Sequence, residues 1–93
     1  MNEIYDSKCP LCDNDADYRF CDGGKVKLYT CTKCWEFLIS TSAERRLKKE
    51  KDRKAHFSKI ASMQKGTDSL LQLSLTVPAK IVPAIVPRTK YRL

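Results

Sequence analysis

The sequence predicts a small α+β protein: a three-stranded antiparallel sheet, then a long basic helix, then a strand and an extended, proline-spaced tail. Three observations lead there. Two C-x-x-C pairs bracket a stretch whose residues alternate around Gly23-Gly24, as a hairpin does. Thr41-Ser42-Ala43-Glu44 fits the capping box and opens a charged run that ends at Gly66. Beyond it, Leu71-Gln72-Leu73-Ser74-Leu75-Thr76-Val77 alternates strictly, and Val-Pro recurs to residue 87.

Cys9-Pro10-Leu11-Cys12 and Cys31-Thr32-Lys33-Cys34 are separated by 18 residues, a spacing that suits a four-thiolate zinc site. Each pair bends the chain so that two sulfurs converge, and two such knuckles complete the tetrahedron that Zn²⁺ prefers. Four thiolates leave no position for water, so one structural Zn²⁺ held by Cys9, Cys12, Cys31 and Cys34 is expected, not a catalytic one. Disulfide and redox readings depend on context. Met1 to Asp6 carry neither the basic nor the apolar region of a secretory signal, which points to a reducing, cytoplasmic setting. A thioredoxin-like pair would need a βαβ neighbourhood, which the pattern is not expected to supply.

On these residues the chain resembles the zinc-ribbon family, in particular small bacterial and phage ribbons that begin C-P-x-C and run into an aromatic-aliphatic strand and a helix. The resemblance covers residues 8–42. It implies two knuckles at hairpin tips with a small sheet between and after them. Family knuckles place glycine after the second cysteine, where the backbone turns left-handed; here Asp13-Asn14 and Trp35-Glu36 stand there, Trp35 at a steric cost. A treble-clef arrangement is the alternative for the second knuckle.

The cysteine-bearing part, about 40 residues, is too small for a self-sufficient core. Zinc is expected to supply the difference, so chelation should unfold it. No run approaches the roughly 18 apolar residues of a membrane span. The chain divides into 1–42 (the knuckles and their sheet), 43–65 (the helix) and 66–93 (strand and tail). The net charge of +7 is uneven: residues 1–42 hold five basic and seven acidic side chains, 43–65 nine and three, 66–93 four and one. Contacts to a polyanion should therefore come from the middle and the tail.

Residues 1–8 read as a leader packed loosely on the sheet. Between Asp17 and Cys31 a three-residue loop, Asp22-Gly23-Gly24, collects Tyr18, Phe20, Val26 and Leu28 on one face and Arg19, Cys21, Lys25 and Lys27 on the other. Cys21 is then a spare thiol on the polar face. Trp35, Phe37 and Ile39 alternate on a third strand, with Trp35 either roofing the metal or meeting a partner. The helix should run from about residue 42 to Lys65, and His56 reads as one of its surface residues. Glu44 with Lys48 and Glu50 with Lys54 pair favourably, whereas Arg45, Lys49 and Arg53 stack like charges that a polyanion would relieve. The proline-spaced segment cannot be helix or a central strand. Its apolar composition calls for a surface, on this chain or another.

Catalysis has no visible machinery: one histidine, no glycine-rich phosphate loop and no paired-carboxylate cleft. Two functions follow. The first is a non-catalytic accessory module, possible small subunit of a larger complex, whose Arg45, Arg46, Lys48, Lys49 and Arg53 contact nucleic-acid phosphates without reading sequence. The second is an adaptor docking a protein partner through Leu71, Leu73, Leu75, Val77, Ile81, Val82, Ile85 and Val86, with no nucleic-acid contact. Neither involves a membrane or a small-molecule substrate.

Overall fold

The computed structural model describes residues 3–77 and 80–87. Six strands form one mixed sheet in sequence order: β1 (Tyr5–Lys8), β2 (Asp15–Cys21), β3 (Val26–Cys31), β4 (Trp35–Ser40), β5 (Ser69–Thr76) and β6 (Lys80–Pro87). All neighbours are antiparallel except β4 and β5, which run parallel through Phe37↔Leu71, Leu38↔Gln72 and Ile39↔Leu73. A parallel pair cannot be joined by a hairpin and needs a crossover. Helices α1 (Thr41–Leu47) and α2 (Lys54–Met63), with a short 3-10 turn at Lys51–Arg53 between them, provide it.

This architecture overturns the expected three-stranded sheet with a long helix. A helix over 42–65 would be about 36 Å long at 1.5 Å per residue, more than the molecule's longest dimension of 31 Å. The chain breaks where it has least to bury: Lys48 to Asp52 offer no apolar side chain, while Ala43 and Leu47 before the break and Phe57 and Ala61 after it are all buried against the sheet. The cap also differs. Ser40, not Thr41, is the N-cap, its Oγ accepting from the Ala43 N–H at 3.0 Å. Glu44 reaches away from the cap to Lys27 at 2.8 Å and to the Tyr29 hydroxyl. The βαβ unit that the sequence was not expected to supply is present as β4, the helices and β5.

The hairpin register differs as well. Cys21 pairs with Val26, Phe20 with Lys27 and Tyr18 with Tyr29, so Val26 and Leu28 point to the face opposite Tyr18 and Phe20. The expected register assumed one apolar face. The sheet has two: Tyr29, Phe37, Ile39, Leu71, Leu73 and Ile81 pack under the helices, and Val26, Leu28, Leu38 and Leu70 form a second cluster behind them. Cys21 packs against that second cluster and is half-buried.

Residues 5–8 are an edge strand, not a loose leader, with Tyr5 opposite Tyr18 and Lys8 opposite Asp15. The proline-spaced segment is the other edge, pairing with β5 from Thr76↔Lys80 to Ser69↔Pro87. An edge tolerates Pro83 and Pro87 because it offers an outward side where a missing N–H breaks no ladder. Pro78, Ala79 and the basic end 88–93 lie outside the described residues.

Candidate metal centre

The two knuckles occupy corresponding turns, Cys9 and Cys12 between β1 and β2, Cys31 at the end of β3 and Cys34 just before β4. Because β2 and β3 are neighbours, both turns lie at one end of the sheet. In the first, the Cys9 N–H donates to the Asn14 carbonyl at 2.8 Å and the Asp13 N–H to the Cys9 carbonyl at 2.9 Å. Asp13 and Trp35, each one residue past a second cysteine, take left-handed backbone with φ of 62° and 69°. The second knuckle therefore keeps the turn of the first in spite of its tryptophan.

All four sulfurs lie within 4.8 Å of one another, with Cys9 Sγ 3.8 Å from Cys34 Sγ and Cys12 Sγ 3.4 Å from Cys31 Sγ. A tetrahedral ion with metal–sulfur bonds of about 2.3 Å requires sulfurs about 3.8 Å apart, so the donor set fits a four-thiolate metal ion. The site is compatible with that of a zinc ribbon. Cys9, Cys31 and Cys34 are buried and Cys12 half-buried.

Surrounding groups suit thiolates. Backbone N–H groups of Leu11 and Lys33 point at Cys9 Sγ (3.5 Å) and Cys31 Sγ (3.4 Å), and the Asn14 side-chain amide donates to Cys12 Sγ at 3.4 Å. Ser58 Oγ, from α2, is 2.9 Å from Cys34 Sγ; against a thiolate it is the donor. Without a metal, burial raises the pKa of Cys9 well above its ordinary value and pushes Cys34 up to about 12. Burial acts the same way on Cys12, but hydrogen bonds from the Asn14 backbone and the neighbouring thiols outweigh it and lower its pKa. Metal binding must therefore displace protons from the buried sulfurs.

Trp35 is half-buried, its indole N–H buried without an acceptor among the described residues and the Lys65 ammonium 5.8 Å from its ring centre. The basic residues are divided. Arg45, Lys48 and Lys49 are exposed. Arg46 and Arg53 are engaged at home, both with Glu50 (2.9 and 3.4 Å), and Arg53 also with the Ile81 carbonyl and the Phe57 ring. Of the tail residues, Leu71, Leu73 and Ile81 are buried in the core and Leu75 packs against it. Val82 and Val86 are half-buried, leaving Ile85 and Val77, 51% and 97% exposed, on the surface.

Sequence reasoning named Lys48 but missed the other lysines around the four cysteines. An open cleft of about 900 Å³ runs between the knuckles and α2, lined by Leu11, Cys12 and Ser58 with Lys33, Lys51, Lys54 and Lys59; Asp13 is its one acidic lining residue. A second cleft shares Asp13 and Lys54 with it and continues to Glu44, Lys48 and Lys8, the last paired with Asp15 at 2.6 Å. Lys8 and Lys33 had a signal, lying beside and inside a C-x-x-C pair; Lys51, Lys54, Ser58 and Lys59 had none, because only the crossover brings them to the knuckles. No protein-family model, curated protein or solved structure matches the chain.

Proposed function

We propose that the chain is a non-catalytic module, folded around one structural Zn²⁺, that binds nucleic acid through the lysine band beside the metal centre. The observation that carries this reading is the cleft lined by Lys33, Lys51, Lys54 and Lys59, continued by Lys48. Soft thiolate donors in a closed tetrahedron favour zinc in a structural role, since no coordination position is left for substrate. Four thiolates around a divalent ion carry a net charge of −2, which part of the band offsets; the remainder attracts an external polyanion. Phosphates that replace counterions there give affinity without sequence selectivity.

Arg45 of α1 and Lys48 and Lys49 just after it are exposed and stay in the proposed contact set, whereas Arg46 and Arg53 brace the crossover and are removed from it. The test is a salt series of binding to labelled DNA and RNA by the purified, metal-loaded chain. Micromolar or tighter affinity is expected, and Lys51→Gln, Lys54→Gln and Lys59→Gln together should reduce the log–log salt slope by about 2 to 3. Absence of binding at low salt, or no zinc in freshly purified protein, would overturn the reading.

A further inference from the structure

On the sheet face that carries the helices, α1 and α2 lie over β4, β5 and β6. The β1–β2 end of that face bears Tyr5, Tyr18 and Phe20. The register places Tyr5 beside Tyr18, and Phe20 follows on the same side of β2. Ring centres are 5.3 Å apart for Tyr5 and Tyr18, 5.6 Å for Tyr18 and Phe20, and 5.9 Å for Tyr5 and Phe20. Tyr5 and Phe20 nonetheless remain 39% and 43% exposed. Core packing does not account for two open rings on one face.

One cation lies against the patch, and it is paired. Lys27, opposite Phe20 in the ladder, holds its ammonium 4.4 Å from the Tyr18 ring centre, fixed there by Glu44 at 2.8 Å. Tyr5 is held in place by its hydroxyl, which donates to Glu3 at 2.7 Å. Ser7, two residues along β1 from Tyr5, and Glu44 both line the cleft that holds Lys8, Lys48 and Lys54. Rings and lysines therefore adjoin along one surface.

We propose that Tyr5, Tyr18 and Phe20 form a stacking platform for the bases of a single-stranded nucleic acid whose phosphates follow Lys48 and Lys54. This deepens the nucleic-acid reading above and rests on it. Every base presents a π-face, and base–ring stacking is a sequence-tolerant source of affinity for single strands. A duplex keeps its bases stacked inside and can use only the lysines. Lys27 and Lys8 are paired with Glu44 and Asp15, but an apolar peptide on the rings would leave Lys48 and Lys54 unmatched, so charge complementarity selects the polyanion.

The test compares the full metal-loaded chain with the double variant Tyr5→Leu, Phe20→Leu for binding to labelled dT15 and to a 15-bp duplex. Leucine keeps apolar area and removes the π-face. Affinity for dT15 should fall about tenfold or more, while duplex affinity and both salt slopes stay unchanged because no charge is lost. In parallel, titrating the unaltered chain with dT15 should move the ring-proton resonances of Tyr5 and Phe20 upfield, which tests stacking even if the variant folds poorly. Unchanged dT15 affinity in a folded variant, an equal loss for dT15 and duplex, or unmoved ring resonances would overturn the platform and leave the lysine band standing. No binding of either nucleic acid by the unaltered chain would overturn both.

Discussion

Asp13 and Trp35 hold the same place in their knuckles, and both accept a left-handed backbone that glycine would adopt at no steric cost. Such a conformation costs an L-residue roughly 1–2 kcal/mol, and closure of the four sulfurs on a metal is what can offset it. Asp13 isolates the effect because its side chain is exposed and outside the core. Asp13→Val should lower the stability of the metal-loaded protein by about 1–2 kcal/mol, since a β-branched residue is an outlier at positive φ. Asp13→Gly should stay within about 0.5 kcal/mol of the parent, strain relief balancing the greater freedom of the unfolded chain. Denaturant unfolding of both variants checks this, and equal losses would show that the knuckle backbone is unstrained. The cluster of four cysteines was legible in the sequence because the chemistry of a metal site fixes both residue type and spacing. Ser58 was not, because nothing local to it signals a thiolate 24 residues away.

Between α1 and α2 the crossover turns on Glu50, which accepts from Arg46 at 2.9 Å and Arg53 at 3.4 Å. Read along the sequence, these residues look like a solvated charge run; in the fold, three of them brace a bend. The Arg46 hydrogen bond, reinforced by Arg53, holds the Glu50 carboxyl below its ordinary value of 4.5. A depressed folded pKa means a contribution that is present above pH 4.5 and is lost as pH falls through the folded value. Amide exchange over 46–53 should therefore speed up in that acid window relative to α2, and Glu50→Gln should show the faster exchange already at neutral pH. Equal rates in parent and variant would leave the bend to Leu47 and Phe57 packing alone. Strand positions were more legible than pairings. Segments 35–40 and 71–77 were each read as strands from alternation, but alternation assumes one wet face, and the second cluster around Leu28 and Leu38 broke that assumption for the β2–β3 register. The parallel pairing of β4 with β5 had a signal, strand then helix then strand, which the ribbon resemblance, ending at residue 42, did not reach.

Across the whole molecule the four-cysteine cluster and the core are one body. Cys9, Leu11, Cys31 and Cys34 belong to the same buried cluster as Phe37, Phe57, Leu71 and Ile81, which come from β4, α2, β5 and β6. The expected picture of a metal-held head with a separate helix and tail would let chelation melt residues 1–42 and spare the rest. A shared core forbids that division. Structural zinc in finger-sized peptides contributes on the order of 10 kcal/mol, comparable with the whole stability of an ordinary domain, about 5–15 kcal/mol. Removing the ion also leaves raised-pKa thiols to reprotonate inside the cluster, so Ser58 loses a thiolate acceptor and α2 loses its tie to the second knuckle. Stripping the metal with a strong chelator at neutral pH should therefore abolish the far-UV helical signal and the near-UV aromatic signal in one transition. Readdition of Zn²⁺ should restore both together. If amide exchange on the stripped protein instead kept β5 and β6 protected while the knuckles opened, those strands would hold a core of their own, and the metal would be staple to the knuckles alone.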